Sequence, residues 1–257
     1  MTEQRELIKV AVLGAAGRMG RASCDAVDAA PDLELVARVG SGDDVVAAVR
    51  DSGAQVAVVF TVPGVVEEQV HSLIDLGVHA VVGATGWTEE SLGRVREHLA
   101  STPATQRVSV LVAPNFALSA VLAMTFAAKA APYFESVEVV ELHHPDKVDA
   151  PSGTARHTAQ AIARARAAAG TAPSPDATVT GLEARGADVD GVRVHAVRLR
   201  GLVAHEEILL GNPGEQLTIR QDSFDRVSFM PGVLLGVREA AGRPGLTVGL
   251  ENLLDLS

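Results

Sequence analysis

Short apolar runs alternate with segments of helical periodicity through the first half of the chain. Runs rich in Val, Ala and Leu predict strands at 8–13, 33–39, 56–61, 79–85 and 108–113. Apolar spacing or capping residues predict helices at 17–29, at 65–77 and from Thr88 onward. Because parallel strands are joined by right-handed crossovers, this alternation predicts an α/β protein with a doubly wound parallel sheet.

The second half has a different pattern, in which strands follow one another without helices between them. A helix is predicted at 117–131 and a strand at 136–142, followed by strands at 192–199, 203–211 and 215–222. This succession is typical of a mixed or antiparallel open sheet in an α+β domain. A sheet with so few helices favours self-association through its face. We interpret 170–190 as a long irregular segment.

The last part of the chain is predicted to return to the first sheet. A helix at 227–241, bent near its middle by Pro231 and Gly232, leads to a short strand at 246–250. We therefore expect a discontinuous first domain, made of 1–116 and 228–257, and a second domain at 117–227.

Composition narrows the class of protein. Hydrophobic residues make up 47% of the 257 residues and aromatic residues only 3%, which suits parallel strands under small-faced helices. A net charge of -10 argues against nucleic acid as a partner, since phosphate binding needs a basic face. The chain has no long apolar run and no leader-like apolar segment at its start, so we expect no membrane partner and a cytoplasmic location.

A glycine-rich turn joins the first predicted strand to the first predicted helix. It reads Gly14-Ala15-Ala16-Gly17-Arg18-Met19-Gly20, a variant of the dinucleotide-binding fingerprint in its required position. Small residues let the backbone approach a pyrophosphate, which the first amides of the helix then hold. The turn therefore predicts a Rossmann-type domain with a nucleotide cofactor.

The fingerprint also predicts an acidic residue about twenty positions after its last glycine, where it would bind the ribose hydroxyls. Gly40 stands at that position. Arg18 and Arg38 are candidates to face a 2′-phosphate instead, while Asp43 or Asp44 could reach the ribose from the following loop. We therefore expect NADPH to be accepted at least as well as NADH.

Three further turns follow predicted strands at their carboxyl ends, where an open α/β sheet places its ligand. They lie at 60–63, 83–87 and 113–116 and carry small or polar residues. Each turn alone is ordinary turn chemistry, but together they are expected to line the nicotinamide half of the cofactor site.

The segment 143–154 combines two histidines, a lysine and a Pro-Ser-Gly-Thr sequence that leads into an alanine-rich helix. Lys147 is one of only three lysines, against nineteen arginines, which suggests a point charge with a tunable proton. Ser152 is a candidate N-cap, with Gly153 and Thr154 in the first turn. This helix start predicts a site for a carboxylate or phosphate, with Lys147 as counter-charge.

The paired histidines are expected to do different work. Consecutive residues of a strand point to opposite faces, so one of His143 and His144 can donate a proton while the other faces negative groups of the substrate. A metal site made of these two with Asp146 and Asp149 is the competing interpretation. Adjacent histidines rarely bind one ion, and we expect no metal.

These motifs together resemble those of the dihydrodipicolinate reductases. The resemblance lies in the turns 14–20, 83–86 and 113–116 and, most specifically, in 141–155, and it spans nearly the whole chain. The chain departs from the usual pattern of that family at Gly40, Val59, Ala84 and Gln221.

The resemblance implies an NAD(P)H-dependent reduction of 4-hydroxy-tetrahydrodipicolinate on the diaminopimelate route to lysine, in the bacterial cytoplasm. It implies a dinucleotide-binding first domain and a second domain that binds the dicarboxylate substrate and builds a homotetramer through its sheet. His143 is implied as the general acid, Lys147 as the residue that binds and polarises the substrate, and His144, Ser152, Gly153 and Thr154 as ligands of its carboxylates. The cofactor contacts expected from the turns and from the resemblance are Gly14, Gly17, Arg18, Met19, Gly20, Arg38, Gly83, Thr85, Ala113, Asn115 and Phe116.

Other functions use parts of the same pattern. A divergent nicotinamide-dependent reductase of another small dicarboxylate would need the same segments, and a non-catalytic NADPH-sensing protein would need only the cofactor turns. A semialdehyde dehydrogenase would need a catalytic cysteine in the second domain. The single cysteine, Cys24, lies in the first domain, forms no internal disulfide, and is interpreted as a packed, inert thiol.

Overall fold

A computed structural model describes residues 7–103, 105–179, 181–182 and 184–256. The chain divides into two compact units, one made of Met1–Phe116 and Phe229–Ser257 and the other of Ala117–Ser228. Each unit has its own sheet. The binding roles expected for the two parts stay a prediction.

The strands and helices of the described chain alternate first and then separate into a run of strands. The strands are β1 (Ile8–Leu13), β2 (Leu33–Val39), β3 (Val56–Val59), β4 (His79–Val82), β5 (Ser109–Val112), β6 (Ser136–His143), β7 (Ala187–Val189), β8 (Val192–Arg198), β9 (Ala204–Asn212), β10 (Glu215–Ser223) and β11 (Gly245–Val248). The helices are α1 (Arg18–Ala29), α2 (Val45–Ser52), α3 (Pro63–Leu76), α4 (Glu89–Ser101), α5 (Leu118–Ala130), α6 (Gly153–Ala168) and α7 (Met230–Glu239). None of the described helices is both long enough and apolar enough to cross a membrane.

The first unit is built on a six-stranded parallel sheet in the order β11-β5-β4-β3-β1-β2. All four residues of β3 and the last four of β1 are buried, as near-continuous apolar runs in parallel strands require. The strand order reverses direction between β1 and β3, which makes a topological switch point at the carboxyl ends of these strands. The predicted doubly wound sheet, with β11 returning to it, is confirmed.

Three local predictions in this unit need correction. Helix α2 was not predicted; it is capped by Asp44, whose side chain accepts from the Ala47 amide at 3.0 Å. Strands β3 and β4 end two and three residues before the predicted ends at 61 and 85. Pro231 does not bend a long helix, because α7 begins at Met230 and Pro231 lies in its first turn. Proline suits the first turn because a backbone N–H there has no acceptor within the helix, so no hydrogen bond is lost by its absence.

Helix α7 packs closely on the first unit through glycines. A Cβ at Gly232 would lie 2.1 Å from the carbonyl oxygen of Phe116, and one at Gly236 would lie 2.9 Å from the Leu111 side chain. At the far end of the helix, Arg238 donates two hydrogen bonds to the carboxylate of Asp32, at 2.8 and 2.9 Å. These contacts attach the returning chain to the parallel sheet. Cys24 is buried on α1, and burial raises the pKa of its thiol, as expected of an inert cysteine.

The second unit has a five-stranded mixed sheet in the order β10-β9-β6-β8-β7. Strands β6 and β8 are parallel, and the other neighbours are antiparallel. The mixed sheet was predicted, but β7 falls in the segment 170–190 that we interpreted as irregular; a three-residue strand has too short a pattern to detect. Helices α5 and α6 cover one face, packing small alanines on Val137, Val139 and Ile208.

Two helical glycines of the first unit should respond oppositely to alanine. Gly232→Ala inserts a methyl group against the backbone of Phe116 and should destabilise the protein by about 1–3 kcal/mol. Gly93→Ala, on α4, places its methyl group in open space and should stabilise the protein by roughly 0.5–1 kcal/mol, because alanine costs less entropy in a helix. Thermal unfolding of both variants measures this, and Tm shifts of the same sign would contradict the packing described for α7.

Candidate active site

The glycine turn after β1 lies at the switch point of the parallel sheet and requires glycine for two different reasons. Gly14 has a φ of 78°, and a Cβ there would approach the carbonyl oxygen of Phe60, just after β3, to 2.4 Å. A Cβ on Gly20 would lie 2.1 Å from the carbonyl oxygen of Gly14. The first glycine thus permits the turn, and the last permits α1 to pack against it.

The N-terminus of α1 has the composition of an anion site. Its N-cap is Gly17, which offers no side chain to the first amides, and no acidic residue lies in the first turn. Arg18 is exposed at this helix start and Met19 is half-buried. Unpaired amides at a helix start attract a phosphate, so the turn, with its close backbone approach, fits the diphosphate of a dinucleotide.

At the carboxyl end of β2, a carboxylate from the following loop lies at Gly40, the position where the fingerprint predicts an acidic residue. The Asp43 side chain folds back and accepts a hydrogen bond from the Gly40 amide at 2.7 Å. Asp44 is engaged instead as the cap of α2. Arg38 donates to Asp28 on α1 at 2.6 Å, and both side chains are about half exposed. The region therefore offers one carboxylate and one guanidinium that already has a partner.

The turns after β4 and β5 differ in what they can offer a nicotinamide. Thr85 is exposed, and Asn115 is half-buried. Ala113 and Phe116 are 1% and 2% exposed, so they can contribute backbone groups only. The ring of Phe116 packs edge-on against Phe60, with ring centres 5.9 Å apart. Gly83 is also enclosed by Phe60, because a Cβ there would overlap its ring at 2.1 Å.

In the second unit, the site is organised by the carboxylate of Glu141, which lies two residues before the end of β6. It is fully buried and accepts from four donors. Arg198, on the neighbouring strand β8, binds it with both terminal nitrogens at 2.7 and 2.8 Å, and the Ser152 amide donates at 3.0 Å. The fourth donor is His143 Nδ1, at 2.5 Å. Burial alone would raise the pKa of Glu141, but these bonds outweigh it and lower the pKa to about 2.

The contact with Glu141 determines how His143 can act. An ionised carboxylate only accepts hydrogen bonds, so Nδ1 must carry the hydrogen in that contact. Nε2 is then the nitrogen left to exchange a proton with a bound molecule, and the side chain is 14% exposed. This arrangement suits a general acid.

Glu141 and Arg198 were not identified as functional residues from the sequence. One signal was present, because the inward positions of β6 are Val137, Val139 and Glu141, and a carboxylate in a buried alternating pattern needs a partner. Its partner comes from parallel pairing, in which His143 lies beside Arg198. That pairing joins residues far apart in the chain and is not visible in a local pattern.

Lys147 lies on the loop between β6 and α6. Its ammonium donates to Asp149 at 2.7 Å, which lowers the pKa of that carboxyl, and the backbone carbonyl of Asp149 accepts from Arg198 at 2.7 Å. The loop is therefore fastened to the Glu141 ion pair through Arg198. A substrate carboxylate would have to compete with Asp149 for the lysine.

The start of α6 is capped as predicted. The Ser152 side chain accepts from the Ala155 amide at 3.2 Å, so its hydroxyl hydrogen is available for an anion. Gly153 is exposed in the first turn, Thr154 is half-buried, and His144 is exposed just after β6. In the described ranges no three His, Cys, Asp or Glu side chains converge as metal ligands would. The structure thus brings an acid, a cation and a helix start into one short segment of the second unit.

Both halves of the chain match models of one protein family. Residues 8–116 match the model described as dihydrodipicolinate reductase, N-terminus, and residues 119–254 match dihydrodipicolinate reductase, C-terminus. A solved structure of dipicolinate-bound dihydrodipicolinate reductase from Paenisporosarcina sp. TG-14 superposes with a TM-score of 0.85 at 36% identity, covering 96% of this chain and 100% of the other.

Curated relatives agree with the family models. The 4-hydroxy-tetrahydrodipicolinate reductase of Beutenbergia cavernae is 67% identical over 250 residues, which cover 97% of this chain and 99% of the relative. That of Streptomyces coelicolor is 60% identical over 251 residues, with the same coverage of the two chains. The resemblance inferred from the motifs is confirmed, and the chain belongs to the dihydrodipicolinate reductase family.

Proposed function

We propose that this chain reduces 4-hydroxy-tetrahydrodipicolinate to tetrahydrodipicolinate with NAD(P)H, as a step of diaminopimelate and lysine biosynthesis. The observation that carries the proposal is the Glu141-bound His143 at the end of β6, followed on the same short segment by Lys147 and by the Ser152-capped start of α6. Family membership supplies the substrate, and the glycine turn of the first unit fits the dinucleotide.

His143 is the general acid of this proposal. The change from substrate to product removes the ring hydroxyl as water and adds one hydride and one proton. A bound nicotinamide would supply the hydride, and hydride addition to the unsaturated ring that loss of water leaves builds negative charge on the conjugated system. His143 holds its reactive proton on Nε2, because Nδ1 is hydrogen-bonded to Glu141. Proton transfer from a positioned acid typically contributes about a hundred- to ten-thousandfold in rate.

The substrate carboxylates are held by the loop and the helix start. Lys147 supplies a positive charge and polarises the substrate, while the Gly153 and Thr154 amides with the Ser152 hydroxyl form the anion site. His144 is exposed on the same loop and contributes a further donor. Asp149 keeps the ammonium of Lys147 in place until a substrate carboxylate replaces it.

The cofactor is held by the first unit in this proposal. The amides of Gly17, Arg18 and Met19 bind the diphosphate, while Gly14 and Gly20 shape the turn. Gly83, Thr85 and the turn 113–116 contact the nicotinamide half. Arg18 and Arg38 face the 2′-phosphate of NADPH, whereas Asp43 faces the ribose of NADH.

The active form is proposed to be a cytoplasmic homotetramer assembled through the sheet of the second unit. Both described helices of that unit, α5 and α6, pack on one face of its sheet. The opposite face carries the partly exposed apolar side chains of Val140, Leu142 and Val197. Partly exposed apolar residues on an uncovered sheet face favour association with another copy.

The two proposed catalytic side chains should give different kinetic losses. His143→Ala should lower kcat by about a hundred- to ten-thousandfold with little change in KM, because only proton donation is lost. Lys147→Ala should lower kcat and raise KM, because the ammonium both binds and polarises the substrate. A coupled assay in which dihydrodipicolinate synthase generates the substrate measures both constants.

Matched controls exist for both variants. His157 is exposed on α6 and Lys9 is exposed on β1, so His157→Ala and Lys9→Ala should keep normal turnover. Near-normal turnover of His143→Ala or Lys147→Ala would contradict the assigned roles.

Cofactor use should depend on the two arginines near the adenosine end. NADPH should be used at least as well as NADH, and Arg18→Ala with Arg38→Ala should lower kcat/KM for NADPH roughly tenfold more than for NADH, since a charge-assisted contact is lost only with the phosphate. Arg21→Ala, exposed on α1, is the control. A strong preference for NADH that is insensitive to both arginines would argue against this assignment.

A charge placed on the uncovered sheet face of the second unit tests the proposed assembly. Multi-angle light scattering should give the mass of four chains, and Val197→Asp should reduce it, because it places a charge in the proposed interface. Val46→Asp, on the exposed part of α2, should leave the mass unchanged. A wild-type protein that is monomeric at assay concentrations would refute the tetramer.

A further inference from the structure

A second carboxyl group lies buried beside the Glu141 network and has no part in the proposed mechanism. Glu206, on β9, is the direct antiparallel partner of Glu141 on β6, and its other neighbour is Gln221 on β10. The three side chains form a row across the helix-covered face of the sheet. They are 0%, 2% and 8% exposed for Glu141, Glu206 and Gln221.

The two carboxyl groups of this row have opposite surroundings. Glu141 accepts from four donors, whereas neither oxygen of Glu206 has a hydrogen-bond partner among the described residues. The Thr158 hydroxyl of α6 lies beside Glu206 and is fully buried. It too has no partner within ordinary hydrogen-bond distance among the described residues. The side-chain oxygen of Gln221 accepts a hydrogen bond from the Ser119 hydroxyl of α5 at 3.3 Å.

The charged groups around Glu206 cannot compensate a second buried charge. Strand β6 contributes Glu141 and His143, and β8 contributes Arg198, both of whose terminal nitrogens are on Glu141. From α6 and β10, the neutral residues Thr158 and Gln221 lie beside it. An ionised carboxylate in such a place loses its hydration and has only the Thr158 hydroxyl beside it as a donor, which makes ionisation unfavourable.

We propose that Glu206 is a positioning residue that holds a proton at neutral pH and thereby sets the charge of the Glu141–Arg198–His143 network. While Glu206 is neutral, Arg198 alone balances Glu141, and His143 is free to give up its proton. When Glu206 releases its proton to the solvent, two negatively charged carboxylates face each other across the paired strands. His143 then keeps its proton and stays a cation. The kinetic part of this proposal rests on the acid role proposed for His143.

The titration expected of Glu206 agrees with this geometry. Burial raises the pKa of its carboxyl to about 7; the nearby Thr158 hydroxyl lowers it in part, and the charge of Glu141 raises it further. Ionisation of Glu206 in the folded protein is therefore expected in the neutral range.

Glu206→Gln tests the proposal, because an amide has nearly the shape of a neutral carboxyl group but cannot ionise. Below pH 6 the variant should retain kcat within about twofold of the wild type, since both have a neutral side chain there. Above pH 7 the alkaline limb of its kcat/KM profile should move to lower pH by about one unit, because the negative charge that retains the His143 proton is missing. Glu215→Gln, at the exposed start of β10, should leave the profile unchanged.

Nitrogen-15 NMR of the His143 imidazole gives a readout that does not depend on turnover. In the wild type its titration should show a second inflection as Glu206 ionises, and Glu206→Gln should remove that inflection. His143→Gln assigns the signal. The wild-type curve is informative even where the variant folds poorly, and a single-step wild-type titration would overturn the proposal.

Folding gives a third readout with a definite sign. The unfolded chain releases the Glu206 proton near its ordinary pKa of about 4.5, while the folded chain keeps it to about 7, so rising pH favours unfolding across this window. Relative to Glu206→Gln, the unfolding constant of the wild type should rise on the order of a hundredfold from pH 4.5 to 7. An unchanged ratio would overturn the buried proton.

The outcomes separate this proposal from the proposed function. A pH profile of Glu206→Gln that superposes on the wild type, or one lowered equally at every pH, would overturn the coupling and leave Glu206 with a packing role. If His143→Ala keeps its turnover, the acid assignment fails, but the NMR inflection and the folding slope still decide whether Glu206 carries a proton.

Discussion

The candidate site depends on one buried carboxylate having all its hydrogen bonds made. Glu141 joins three separate parts of the second unit: β8 through Arg198, the helix start through the Ser152 amide, and the end of its own strand through His143. A buried charge that loses one of several partners is strongly destabilising, so each contact is required by the others. The loop from 144 to 152, which carries Lys147, is anchored at both ends by this ion pair.

The adjacent carboxyl groups show how one sheet produces opposite acid strengths. Glu141 has a pKa of about 2 because donors surround it, whereas Glu206 has a pKa of about 7 because burial is not compensated. They occupy directly paired positions on β6 and β9, so the difference comes from the neighbouring strand and loop rather than from depth in the protein. Groups whose environments push their pKa values apart are typical of acid–base sites.

The local sequence pattern predicted most strands and helices. The contacts that give the site its chemistry could not be predicted without knowing which residues pair between neighbouring strands. The parallel sheet, the mixed sheet and the capped start of α6 follow from periodicity and from residues next to one another in sequence. Helix α2 and strand β7 were missed because they are short. Pro231 was interpreted as a bend within a helix, because proline occurs both at helix bends and in the first turn of a helix. The contact of Arg198 with Glu141 spans 57 positions and exists only because β6 and β8 pair in parallel. The histidine, lysine and hydroxyl residues that we propose for the site could be selected from the sequence because one short segment carries them all.

The adenosine end of the cofactor site illustrates how a missing residue can be replaced by a neighbour. Gly40 has no side chain, yet its amide donates to the Asp43 carboxylate, so a ribose diol bound there would still meet a negative oxygen at the end of β2. A 2′-phosphate would meet that same charge, but it would also find Arg18 exposed and Arg38 held only by a half-exposed contact with Asp28. Exposed ion pairs contribute little free energy, so Arg38 can exchange Asp28 for a phosphate at small cost. Repulsion from Asp43 and attraction to the arginines therefore oppose each other, and neither cofactor is excluded by the charges at this end of the site.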